Sequence, residues 1–167
     1  MPSSTSRAAI VAAARTAIGT ARKGSLANMP AIELAKPVVA AVVERSGLNA
    51  ADFDDLVLAE VMQGGGDSAR YIAVDLGLID IPGLAVNRQC ASSLSAIAVG
   101  AGQIAAGMSR AILAGGMESL STGPIMQKRR PFTSGKSPED YTQWFPESHP
   151  PTAEAPAMDM SITVAHN

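Results

Sequence analysis

From Cys90 to Ser109 the chain runs for twenty residues without a charged side chain, and Ala, Gly and Ser make up most of the run. Read as a helix the run is apolar and small all round, and Gln103 is its one strongly polar side chain. A helix with no polar face is buried on every side, whereas a single sheet covers only one side, so the fold needs a second covering layer. Residues 92–106 make about 22 Å of helix, enough to cross a domain centre. Gly100 and Gly102 each cost about 1 kcal/mol relative to Ala, a cost that close packing against a neighbour offsets. The stretch is long enough to span a bilayer, but its small residues and Gln103 fit a buried helix of a soluble protein better.

The flanking segments alternate strand-like and helix-like patterns. Residues 8–14 form a short Ala/Val/Ile run read as a first strand, leaving through Arg15-Thr16-Ala17-Ile18-Gly19. Residues 31–45 carry apolar side chains at helical spacing, with Ser46-Gly47 as a stop. Pro37 lies inside this helix, which therefore kinks there or begins near it. Residues 55–62 predict a second strand, followed by Gln63-Gly64-Gly65-Gly66 and a helix capped by Asp67 or Ser68. A third strand over 84–89, the apolar helix over 92–106 and a fourth strand over 110–115 complete an α/β pattern: a mostly parallel sheet with helices on its faces. Beyond Ser121 the composition changes to a Pro-rich stretch containing Lys128-Arg129-Arg130 and four aromatic residues, Phe132, Tyr141, Trp144 and Phe145. Residues 158–167 read as the opening of a further helix, so the sequence is expected to be a fragment.

The 167 residues carry a net charge of −2, which gives no basic face for nucleic acid. One cysteine cannot form an internal disulfide, and residues 1–7 lack the basic-then-apolar layout of a secretory signal, so a reducing cytoplasm is the expected location.

That cysteine, Cys90, lies where the third strand gives way to the apolar helix. A free cysteine is commonly a small buried hydrophobe. At a helix N-terminus, however, a thiolate is favoured and can reach a thioester carbonyl, so Cys90 is the candidate nucleophile. A helix terminus gives an anion at most about 2 kcal/mol, too little to ionise an ordinary thiol fully at neutral pH. Full activation needs a base. Only His149 and His166 are present, one in a proline-bounded loop and one beside the last residue, and neither has an orienting context.

Other motifs are weaker. Gly64-Gly65-Gly66 precedes a helix but lacks the Lys-Ser/Thr of a phosphate loop and the dinucleotide-binding spacing, so it reads as a turn. Lys128-Arg129-Arg130 reads as a solvated turn. Asp52, Asp54 and Asp55 read as a helix-to-strand loop, and no convergent ligand set implies a metal.

Three segments together resemble thiolases: Arg15-Thr16-Ala17-Ile18-Gly19; Val86-Asn87-Arg88-Gln89-Cys90-Ala91-Ser92-Ser93-Leu94-Ser95-Ala96; and Gly115-Gly116-Met117-Glu118-Ser119-Leu120-Ser121. The resemblance runs from about residue 8 to 121 and covers the N-terminal half of that family. It implies a layered α-β-α-β-α architecture made of two similar halves, with the apolar helix in the central layer. Residues 1–121 would be the first half and 122–167 the opening of the loop domain. It also implies that Cys90 takes the acyl group from an acyl-CoA, with its backbone N–H in an oxyanion hole, and that a second acyl-CoA then enters a Claisen condensation. Coenzyme A thioesters are substrates here and no separate cofactor is implied. The activating histidine and second cysteine of the family belong to a C-terminal half, and the complete protein is expected to be a homodimer or tetramer. The family often places His before Met-Gly near the end of the loop region, where this chain reads Ala157-Met158-Asp159. Two other readings stay open: a thiolase-fold protein that dimerises or scaffolds without turnover, and a ketoacyl synthase with the same fold and nucleophile.

Overall fold

A computed structural model describes residues 7–63, 65–145, 147, 150, 152 and 153. They fall into two compact units, one within Met1–Pro124 and one within Ile125–Asn167.

In the first unit, helix α1 (Ala31–Ser46) starts after Pro30 and ends at Gly47, whose φ of 71° closes the helix in the left-handed region that glycine tolerates best. Pro37 lies within it without ending it. Asn49 and Asp52 bracket a 3-10 turn, Ala50–Asp52, that leads into strand β1 (Asp55–Ala59). Helix α2 (Ser68–Asp75) is capped by Asp67, whose carboxylate accepts from the Arg70 N–H at 3.2 Å. Strand β2 (Gly83–Val86), helix α3 (Ser92–Ala105) and strand β3 (Ile112–Gly116) follow. The sheet has the order β2-β1-β3 and is wholly parallel, with Leu56 opposite both Gly83 and Leu113.

Strand alternation divides the side chains between two layers. Leu56, Leu58 and Leu113 join Ala31, Ala35, Val39, Ala69, Ile72 and Ala73 of α1 and α2 in one core. Lys36 of α1 meets Glu33 at 2.7 Å and Asp75 of α2 at 2.9 Å, linking the two helices at the surface. On the other face α3 packs through Ser92, Ala96 and Gly100, a stripe of small buried residues spaced by four. A Cβ on Gly100 would lie 3.1 Å from Ile112 Cγ2, and one on Gly116 would collide with Ser93 Oγ. Helix and sheet approach so closely because these residues are small.

Three expectations are corrected. Residues 8–14 are extended but not a strand: they have no ladder partner among the described residues, and the Arg45 guanidinium holds Ala13 O at 3.1 Å. An apolar groove of about 670 Å3 lies between residues 8–16 and the side of β3 that has no strand neighbour, floored by Ile97 and Ile104 of α3 and by Leu34 of α1. The strand expected over 55–62 stops at Ala59, because the Glu60 carboxylate turns into the following loop. The strand expected over 84–89 is β2, ending at Val86, and residues 87–91 form a turn. As expected where residues 1–121 supply one of two covering layers, α3 is covered on one side among the described residues: Leu94 is 71% and Ile97 39% exposed.

The second unit contains an antiparallel pair, β4 (Gln127–Arg129) and β5 (Tyr141–Gln143), with a 3-10 turn, Pro138–Asp140, before β5. Asp140 accepts from the Lys136 and Ser137 N–H groups and from the Ser134 hydroxyl. These donors hold its carboxyl below the usual range, the Ser134 hydroxyl most of all, against a smaller upward push from burial. No helix among the described residues is long and apolar enough to cross a membrane.

Candidate active site

The carboxyl ends of the three parallel strands lie along one edge of the sheet, the edge where open parallel sheets bind their ligands. Each strand exit there carries a different polar device.

Beyond β2 the chain makes a tight turn. The Asn87 side-chain oxygen accepts from the Gln89 N–H at 2.9 Å, Gln89 takes a φ of 51°, and the Ala91 N–H returns to Arg88 O at 3.1 Å. A non-glycine residue in this left-handed region carries strain of about 1 kcal/mol or more. Ser92 opens α3 and is 1% exposed; its hydroxyl accepts from the Arg88 N–H at 2.6 Å and donates to Gln89 O at 2.6 Å. Cys90 sits in the middle of this turn, exposed and free. The sequence located the thiol at a strand-to-helix switch, and it lies at one, in solvent rather than in the core.

The exit of β1 is organised by Glu60, which is 5% exposed. Its carboxylate accepts from the Gly66 and Ser68 N–H groups, each at 2.8 Å. Burial pushes the carboxyl up, but the Ser68 N–H and hydroxyl, with the Gly66 and Gly65 N–H groups, outweigh it and hold the group below the ordinary carboxylate range. Two donors of the glycine-rich loop and helix start are thus occupied by a carboxylate of the chain itself. Sequence reasoning treated Glu60 as a strand residue. The signal it offered was an acid placed directly after Leu56-Val57-Leu58-Ala59 and before three glycines.

Beyond β3, Glu118 accepts from the Met62 N–H at 3.2 Å, from the Ser119 N–H at 3.0 Å and from the Gln63 side-chain amide. It thereby ties the β1 exit to the β3 exit. Ser119 in turn donates to Met29 O at 3.1 Å and accepts from the Thr122 hydroxyl at 2.8 Å.

The aspartates read as a loop have separate partners. Asp52 accepts from the Asn49 N–H, while Asp55 accepts from the Gln103 amide at 3.2 Å. Asp54 accepts from the Arg110 and Ala111 N–H groups. The Arg110 N–H is the main cause that holds Asp54 below the usual range. Among the described residues no three His, Cys, Asp or Glu side chains converge as a metal site would require. Lys128 lies over the Trp144 ring, 5.7 Å from its centroid, and Arg129 and Arg130 are exposed. His149, His166 and the Met158-Asp159 pair lie outside the described residues.

Comparison with known proteins places this geometry. The model of the thiolase N-terminal domain matches residues 8–146. The chain is 40% identical over 120 residues to the acetyl-CoA acetyltransferase of Pseudomonas aeruginosa, covering 70% of this chain and 30% of that protein. The Escherichia coli acetyl-CoA acetyltransferase is 38% identical over 120 residues, with the same shares covered. Among solved structures, a Bacillus anthracis acetyl-CoA acetyltransferase superposes with a TM-score of 0.71 at 32% identity, over 80% of this chain and 34% of that one. A thiolase from Ascaris suum, solved in complex with coenzyme A, gives 0.68 at 28% identity, over 75% and 33%. The chain therefore spans about 30% of the length of the curated relatives it matches.

Proposed function

From the premise that the chain belongs to the thiolase family, we propose that it carries the nucleophile-bearing part of an acyl-CoA acyltransferase of the acetyl-CoA C-acetyltransferase type. Cys90 gives up its proton to a base, and the thiolate attacks the thioester carbonyl of acetyl-CoA. A bond forms between Sγ and the acyl carbon, the bond to the coenzyme A sulfur breaks, and coenzyme A leaves as the thiol after protonation. The α-carbanion of a second acetyl-CoA then attacks the acyl-enzyme, forming acetoacetyl-CoA and returning the Cys90 thiolate. Thiolysis is the same sequence reversed. The backbone N–H of Cys90 forms part of the oxyanion hole that meets the charge developing at the thioester oxygen.

The observation that carries this reading is the exposed thiol of Cys90, held in a strained strand-to-helix turn at the carboxyl edge of a parallel sheet. The base and the acid-base group for the α-proton are assigned to the C-terminal half of a complete thiolase, and the complete protein is expected to assemble as a homodimer or tetramer. The test compares thiolysis of acetoacetyl-CoA by the full-length polypeptide with Cys90 intact and with Cys90→Ala. Loss of turnover in the variant supports the proposal, and equal turnover sinks it.

A second reading, a thiolase-fold protein that pairs without turnover, draws on the exposed Leu94 and Ile97 of α3. It predicts no acetyl transfer from acetyl-CoA to Cys90 under conditions where the chain still associates.

A further inference from the structure

The Cys90 turn is held by more than backbone bonds. Ser92 stands two residues after the thiol and is almost completely buried, and its single hydroxyl satisfies one backbone donor and one backbone acceptor before Cys90. The donor is the Arg88 N–H and the acceptor is Gln89 O, so the two bonds, each 2.6 Å, lie either side of the Arg88–Gln89 peptide link. That link leads into the left-handed Gln89, the one residue of the turn whose backbone is strained. A residue held in this region persists only where its surroundings over-determine it. The Asn87 side chain restrains the Gln89 N–H, and two backbone bonds act on the same link, from the Ala91 N–H to Arg88 O at 3.1 Å and from the Ser92 N–H to Gln89 O at 3.0 Å.

We infer that Ser92 is the positioning residue of this site: its hydroxyl clamps the Arg88–Gln89 link and so fixes the angle at which the Cys90 thiol leaves the start of α3. The inference rests on the reading of Cys90 as nucleophile and adds to it a residue that never touches substrate. A serine at the start of a helix ordinarily faces solvent and caps its own helix. Here the hydroxyl turns inward, away from water, and serves the preceding loop. Ser93 beside it packs against Gly116 instead, so the helix start is fixed on the sheet by one serine and the nucleophile turn by the other.

The test uses the full-length polypeptide as wild type, Ser92→Ala, Ser92→Thr and Cys90→Ala, each checked for cooperative melting. Two readouts are taken: steady-state thiolysis of acetoacetyl-CoA, and the rate at which iodoacetamide alkylates Cys90 at neutral pH without substrate. Loss of one hydrogen-bonding hydroxyl corresponds to about a tenfold effect, so Ser92→Ala is expected to lower kcat and alkylation by about tenfold with KM changed less than about twofold. Ser92→Thr keeps the hydroxyl and returns both rates to within about threefold of wild type. A folded Ser92→Ala protein with wild-type kcat and alkylation overturns the inference, and so does a loss confined to KM. If Ser92→Ala does not fold, Ser92→Thr decides alone: near-wild-type rates support the clamp, and a tenfold loss in the folded variant overturns it. Thiolysis that survives Cys90→Ala refutes the nucleophile reading instead, while alkylation in the Ser92 variants still reports whether the hydroxyl holds the thiol.

Discussion

On one face of the sheet, α1 and α2 bury Leu56, Leu58 and Leu113 under Ala35, Val39 and Ile72. On the other, α3 lays Ser92, Ala96 and Gly100 against the strands and leaves Leu94 in solvent, with Ile97 partly exposed at the floor of the groove. The first face is built from large side chains and holds the unit together by apolar burial. The second is built from small ones. It gains little from burial but brings the α3 backbone close to the sheet at the start of the helix, next to the turn that carries Cys90. Stability and site geometry are thus assigned to opposite faces, and the outer side of α3 presents an exposed apolar surface among the described residues.

This contrast can be broken by substitution. Ile72→Ala, at a fully buried position of the first face, is expected to cost about 2 to 5 kcal/mol in urea unfolding. A loss under about 1 kcal/mol would show that the first face is not the main source of stability.

Glu60→Gln should cost about 2 kcal/mol by the same measurement, since it replaces a buried charged acceptor of two backbone N–H groups. The carboxyl is held below its ordinary range in the folded chain. Its contribution is therefore fully present above an unfolded-state pKa of about 4.3 and disappears as pH falls through the lower folded value. Unfolding midpoints taken from pH 7 downward should show this acid-side loss in the wild type and a shallower one in Glu60→Gln. Parallel curves would remove Glu60 from the account.

Gly116→Ala tests the close approach on the second face. The added Cβ meets Ser93 Oγ and Ala59 Cβ, so a shift costing about 1 to 3 kcal/mol is expected. That shift should also lower Cys90 alkylation, whereas Ile72→Ala should reduce stability while leaving alkylation of the folded protein nearly unchanged. The smallest effect is expected for Leu94→Ser, within about 0.5 kcal/mol, with better solubility. A loss comparable to that of Ile72→Ala would mean that the outer side of α3 is already covered.

Much of this was legible in the residues. The alternation of apolar runs gave α1, α2, α3 and three parallel strands, and the uncharged run after Cys90 correctly demanded a helix packed through small residues. What failed was non-local. The Ala-rich run over 8–14 has the composition of a strand, but a strand exists only with a partner, and local pattern does not reveal that β3 leaves its outer side unpaired along this segment.

At the site, the position of Cys90 at a strand-to-helix switch was legible from the apolar run that precedes it and the uncharged run that follows it. Ser92 and Glu60 were not. A serine at a helix start ordinarily reads as a cap, and an acid after an apolar strand reads as the strand's solvated end. Each does its work through backbone groups of neighbouring segments that side-chain pattern does not encode.

The central claim, that Cys90 accepts the acyl group, is tested most directly by brief incubation of the full-length polypeptide with acetyl-CoA, acid quench and peptide mapping by mass spectrometry. The account predicts one added acetyl group on the peptide containing Cys90 and none in Cys90→Ala. Acetylation that persists in Cys90→Ala, or a Cys90 peptide left unmodified while turnover proceeds, would contradict it.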